Sequence, residues 1–169
     1  MVPKRVKQFY INVTDIMKKE DYEYVKSILN KEEYDLFIKL LKSEQKHSVR
    51  NAKDIEYAID NNLVKNHEIV KHRDILVKTA LVHDIGKIRK RLNVFDKSII
   101  VILNKLTKGK LRNVEKSKKV QCYYNHSQYS YEILKEMNED KLLLEIVKNH
   151  HNENNMDIIK FFQEIDDKN

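Results

Sequence analysis

Two glycines and one proline in 169 residues leave this chain almost without the residues that interrupt regular structure. Glycine and proline build the tight turns that a β-sandwich or barrel needs in number. Their scarcity argues against such folds and predicts long helices joined by polar turns. The proline stands at position 3, away from any helix interior. With 41% hydrophobic and 35% charged residues, the helices are amphipathic and the core is single. The expected fold class is all-α, in one domain.

Periodicity places the helices. Val6, Phe9, Tyr10, Val13 and Met17 predict one from Lys4 to Lys19, and a second covers Asp21 to Leu29. Asn30 with Glu33 three residues later has the form of a capping box and starts a third, carrying Tyr34, Phe37, Leu40 and Leu41. Ser43 to Ala58 is a fourth. Ile69 to His83 is too apolar for a surface helix and is expected at the centre, with Gly86 at its C-cap. Val94 to Leu106 is again apolar, and Thr107 to Glu115, with Gly109, is a basic connection. Lys116 to Tyr124, Ser127 to Met137, Lys141 to His150 and Met156 to Ile165 complete the set, with Asn138 and Asn154 as N-caps.

The net charge of +7 and pI near 9.2 favour anionic partners such as nucleotides or RNA. Lysine outnumbers arginine, and asparagine and isoleucine abound, so an AT-rich genome explains part of this excess. The densest basic stretches are 87–91 and 105–119. No apolar run approaches the roughly 18 residues of a membrane span, and Met1-Val2-Pro3-Lys4-Arg5 leads into no secretory core. One cysteine, Cys122, excludes an internal disulfide framework. These features predict a cytoplasmic protein that does not engage a membrane.

Polar residues on apolar helices carry the chemistry. His47, Arg50 and Asn51 share a helix face by their spacing. His83 and Asp84 end the most apolar helix, where ionisable groups need partners. Lys87 follows one turn later as a point charge suited to phosphate. His126 follows Tyr123-Tyr124-Asn125 at a helix start, His150-His151 ends another helix, and Asp166-Asp167 ends the last. Each alone reads as a packed histidine or a solvated pair. Together they put imidazole and carboxylate groups at the ends or inner faces of successive helices, which a bundle brings together.

The stretches HSVRNA (47–52), LVHDIGK (81–87), NHSQYSYEIL (125–134), VKNHH (147–151) and FFQEIDD (161–167) give the chain its resemblance. In their order it resembles the HD-domain superfamily of metal-dependent phosphohydrolases. The resemblance implies an HD-like helical bundle over about 43–169, with residues 1–42 as an N-terminal helical extension. It implies that His47, His83, Asp84 and Asp166 hold one metal. Asp84 bridges to a second, completed by His126, His150 and His151. Lys87 and Arg50 match positions that contact substrate phosphate. The implied reaction is hydrolysis of a nucleotide or other small phosphate mono- or diester by a metal-activated water. The mixed nitrogen and oxygen ligands suit two divalent ions of Fe, Mn, Co or Ni, with Zn and Mg as further candidates. The Gly-Tyr-Pro loop that follows the histidine pair in cyclic-dinucleotide members is replaced by Asn152-Glu153-Asn154-Asn155, which argues against that substrate. Where relatives often read Pro-Glu-Ile-Gly, this chain has Ser127-Gln128-Tyr129-Ser130, with Ser130 altering a close helix contact. The length leaves no room for a second, synthetase domain. Two other readings fit the same residues: an RNA-binding or RNA-processing protein, and a regulatory module with little turnover.

Overall fold

The computed structural model describes residues 15–169. These form nine α-helices and two 3-10 turns, with no strand among the described residues. In order they are α1 (Lys19–Ile28), α2 (Lys31–Phe37), α3 (Lys42–Asp60), α4 (His67–Lys71), α5 (Arg73–Val82) and a 3-10 turn (Ile85–Arg89). There follow α6 (Val94–Leu106), a second 3-10 turn (Lys110–Asn113), α7 (Lys118–Glu136), α8 (Lys141–Asn149) and α9 (Asp157–Lys168). The fold is the all-α bundle that the shortage of turn residues predicts. The helix expected from Lys4 lies outside the described residues as far as position 14, and residues 15–18 are not helical.

Helix α5 is the centre. Leu76, Val77, Ala80, Leu81 and Val82 are all buried on this ten-residue helix. They pack in one cluster with Val49, Ala52, Ile55 and Ile59 of α3, Leu134 of α7, Ile146 and Val147 of α8, and Ile159 and Phe162 of α9. Full burial of one such large aliphatic or aromatic side chain stabilises by about 1.5–3 kcal/mol. A smaller cluster of Leu92, Ile100, Leu111, Val120 and Cys122 holds α6 and the second 3-10 turn against α7. The other face of α6 leaves Phe95, Ile99, Ile102 and Leu106 exposed. No helix among the described residues is long and apolar enough to cross a membrane.

Four local expectations are corrected. The helix expected over Ile69–His83 breaks at His72, which closes α4 and precedes α5 with φ −100° and ψ 25°. The break lets Arg73 reach Asp60 at 2.8 Å and Glu56 at 3.2 Å on α3. The two helices expected on either side of Asn125 are one, α7. Burial of Cys122, His126, Ser130 and Leu134 in a stripe at four-residue spacing overrides the local break signal. Asn138 does not cap α8. It ends α7 in the left-handed conformation with φ 58°, and Asp140 caps α8 by accepting from Leu142 N at 2.7 Å. Asn154 accepts from Met156 N at 2.9 Å, one turn before α9, and is not its N-cap. Asn30 does cap α2, with Glu33 reaching back to Asn30 N at 2.8 Å.

Candidate metal centre

Five elements send side chains to one point. His47 comes from α3, His83 and Asp84 from the end of α5, and His126 from the middle of α7. His150 and His151 follow α8, and Asp166 lies in the last turns of α9. His126 therefore does not start a helix, as its local sequence suggests; it lies on the buried stripe of α7.

The Asp166 Oδ1 atom is 2.8 Å from His47 Nε2 and 3.4 Å from His83 Nε2, and it accepts from Asn51 Nδ2 at 2.8 Å. Asp84 faces two ways. Its Oδ2 is 3.4 Å from His83 Nε2 and is paired with Lys87 Nζ, while its Oδ1 is 3.4 Å from His126 Nε2. His126 and His151 meet through their Nε2 atoms at 2.9 Å. The His150 ring lies 5.1 Å from that of His83 and 4.0 Å from that of His151. Phe162 packs against His83 at 5.5 Å between centroids, so docking α9 also seats Asp166.

Local backbone contacts orient the rings. The Nδ1 atoms of His83, His126 and His150 lie 2.9, 2.9 and 2.6 Å from the carbonyls of Ala80, Tyr123 and Val147, each three residues earlier. A neutral imidazole that donates Nδ1–H leaves the Nε2 lone pair directed at the centre, the arrangement that metal-ligating histidines use. His150 Nε2 and Asp84 Oδ1 are buried with no hydrogen-bond partner. Buried polar atoms are rarely left so, and a cation would satisfy both. Three sets each have ligand atoms within 4.8 Å of one another: His47, His83 and Asp84; His83, His150 and Asp166; His126, His150 and His151. The donor set fits divalent metal.

Charge follows from burial and proximity. Burial opposes ionisation of Asp84, yet His83 and Lys87 beside it hold its carboxyl well below the usual range. Burial is outweighed likewise at Asp166, by hydrogen bonds from His47 and His83. His83 is raised because the two carboxylates overcome its desolvation. Burial, then the Lys87 charge, push His126 down to about 3. His150 also falls well below its ordinary value, through burial and the neighbouring His151 and His83.

Gly86 serves the centre by its size. It lies inside the 3-10 turn rather than at a helix C-cap, and it does not adopt the left-handed conformation. A Cβ there would come within 2.2 Å of the His126 carbonyl oxygen and 2.6 Å of Ser130 N. Gly86 N donates to Ser130 Oγ at 2.8 Å, and Ser130 Oγ donates to the His126 carbonyl at 2.9 Å. Ser130 thus pins the close approach of the turn to α7.

Of the expected site residues, His47, His83, Asp84, Lys87, His126, His150, His151 and Asp166 converge. Arg50, on α3 beside them, donates to Asp15 Oδ2 at 3.0 Å and approaches the Asn169 carbonyl at 3.4 Å. His72 bonds the Glu68 carbonyl, away from the centre. The hold of Asn51 on Asp166 was visible in sequence only as four-residue spacing from His47. A cavity of about 370 Å³ opens beside His126, His151 and Lys87, and Tyr123, Tyr124 and Arg112 also line it. No sequence pattern placed Arg112 there.

A helical bundle that gathers imidazole and carboxylate groups from several helices around one point defines a class of all-α metal-binding proteins. The model of the HD domain family matches residues 45–166, and the chain belongs to that family. HD domains bind divalent metals and are generally metal-dependent phosphohydrolases. No curated protein and no solved structure matches the chain significantly.

Proposed function

We propose that this chain is a phosphohydrolase that cleaves a small phosphate ester, with nucleotides the best-suited class, at a centre for two divalent metals. One observation carries the reading: Asp84 turns one oxygen to His83 and leaves the other, buried and unbonded, beside His126. His47, His83, Asp84 and Asp166 would hold one ion, and Asp84, His126, His150 and His151 the other. Ions in such a pair supply Lewis-acid charge and an activated water.

The protein's own part is positioning. The Nδ1 contacts hold three rings in place, and Asn51 holds Asp166. Lys87 lines the cavity beside Asp84, where its ammonium would meet a phosphate oxygen as a point charge. Arg50, the second cation that the resemblance offers, is engaged by Asp15 instead. The cavity beside His126 admits the ester, and Tyr123 and Tyr124 offer an apolar wall to its organic part.

The test is a panel of nucleotides and phosphate esters, assayed with Mn, Fe, Co, Ni, Zn and Mg while metal content is measured in parallel. His83→Ala and Asp84→Ala should each abolish turnover and lower metal content, and His72→Ala should do neither. Lys87→Ala should keep its metal and lose about 100-fold in rate, as loss of a charge-stabilising group does. Normal turnover in Asp84→Ala would refute the two-metal reading.

A further inference from the structure

Helix α6 is apolar on two sides, and the bundle covers only one. Ile100 packs inward on Leu111, Val120 and Cys122. Phe95, Ile99, Ile102, Leu103 and Leu106 lie round the helix from it and are all exposed, Phe95 at 76% and Leu106 at 73%. Steps of four, three, one and three residues keep these five within an arc of about 100°. A surface helix normally has one apolar stripe and turns it to the core. A second stripe, contiguous and uncovered, marks a surface that meets something outside the molecule.

The charge around the stripe selects the partner. Twelve of the chain's 33 lysines and arginines fall in residues 87–119, with only two of its 26 acidic residues. This stretch therefore carries a formal +10, and all the other residues together carry −3. Asp96 is answered by Lys119 at 2.6 Å, and Lys97 answers Glu44 at 2.9 Å. Arg91 just before α6, Lys105 within it, and Lys108 and Lys110 just after it are exposed and form no ion pair among the described residues. A second copy of the chain would set one +10 face against another, and like charges repel. Residues 1–14 hold Lys4, Arg5 and Lys7 and no carboxylate, so they do not complement the rim either. Nine of the twelve cations are lysine, which protein interfaces disfavour. Single-stranded nucleic acid stacks on aromatic rings, and four of the five exposed residues are aliphatic.

We propose that α6 docks the protein on an anionic lipid surface. The helix lies along the interface, and Phe95, Ile99, Ile102, Leu103 and Leu106 enter the boundary of headgroups and acyl chains. Arg91, Lys105, Lys108 and Lys110 meet lipid phosphates and carboxylates from both ends of the helix, and their long stems let the charges stay in the headgroup layer. The sequence expectation of no membrane contact rested on the missing span, which such a helix does not need. The pair of Lys97 with Glu44 and the packing of Ile100 keep α6 on the bundle, so the whole domain is carried to the surface. The proposal does not depend on the reaction proposed at the centre.

The full chain is mixed with vesicles of phosphatidylcholine, alone or with about one-quarter phosphatidylserine, and the bound fraction is read by flotation. Wild type should bind the anionic vesicles about tenfold more tightly than the neutral ones and lose that margin in high salt. Phe95→Ser with Ile99→Ser, and separately Lys105→Glu with Lys108→Glu, should each weaken binding about tenfold. These side chains are exposed, so helicity by circular dichroism should not change. Tyr57→Ser, which alters an exposed aromatic on α3, should bind as wild type does. The chain has no tryptophan, so Phe95→Trp supplies a single emission that should shift to the blue with anionic vesicles. Equal binding to neutral vesicles overturns the proposal, as does binding that Phe95→Ser with Ile99→Ser leaves intact or that gives no shift in Phe95→Trp. No binding to either vesicle overturns it and leaves the face to an acidic protein. A wild-type dimer that Phe95→Ser with Ile99→Ser dissociates, or binding of single-stranded RNA in preference to vesicles, gives the face to another occupant and overturns it too.

Discussion

Two buried aspartates separate structure from function at the residue scale. Asp21 is only 3% exposed, but its oxygens are answered by Lys46 and Lys53 at 2.7 Å each and by Lys18 N at 3.1 Å. Asp84 is as deeply buried and keeps Oδ1 without any hydrogen bond. The first ties α1 to α3; the second pairs one oxygen with Lys87 and leaves the other open beside His126. Burial opposes the Asp21 charge, and the two lysines and the backbone donor outweigh it, so its carboxyl is held well below the usual range. A depressed carboxyl stabilises the fold above the unfolded-state value of about 3.9 and loses that contribution as pH falls toward the folded-state value. Asp21→Asn should therefore lose about 2 kcal/mol at pH 7. The gap to wild type should narrow by about 1 kcal/mol at pH 3. Urea unfolding at the two pH values measures it, and a gap independent of pH would mean that the ion pairs contribute nothing.

At the scale of elements, the centre depends on how closely the 3-10 turn after α5 approaches α7. Gly86→Ala would press a methyl group onto backbone atoms of His126 and Ser130, which cannot swing away as a side-chain tip can. Overpacking of this kind costs about 1–3 kcal/mol, and here the element that moves carries His126. The variant should be less stable in urea and should hold less metal than wild type. Full metal content with unchanged stability would mean that the helices do not meet as described. The glycine was legible in the sequence; its reason was not, because a C-cap and a close approach leave the same single letter. The continuity of α7 was hidden in the same way. Asn125 reads locally as a break, and only the stripe of Cys122, His126, Ser130 and Leu134, buried against other elements, makes one helix of it. Capping at Asn30 was readable because all its partners lie within four residues.

For the whole molecule, the centre joins parts of the chain that have little else in common. His47 and Asp166 are 119 residues apart and meet at 2.8 Å, and His126 meets a residue 25 positions later. The order of the candidate ligands was legible because residue type and helix phase survive in a linear string. The cavity was not, because Lys87, Lys97 and Arg112 converge only when α6 and its following turn fold over α7. A metal ion held between α3, the end of α5, α7, the end of α8 and α9 would bind the folded state and find no such site in the unfolded chain. Mass action then adds about 2.7 kcal/mol of stability for each ion present at 100 times its dissociation constant. For a domain of this size 1 kcal/mol moves the Tm by about 2–4 °C, so stripping metal with a chelator should lower it by about 5–10 °C per ion. Truncation before Asp166 should remove most of that difference, since α9 would then be held by Phe162 and its apolar neighbours and by the bonds of Gln163 to the Asn149 and Asn152 carbonyls, none of which depends on metal. Scanning calorimetry of both chains, with and without manganese, decides the matter: a truncated chain that retains the full metal-induced rise would take Asp166 out of the ligand set.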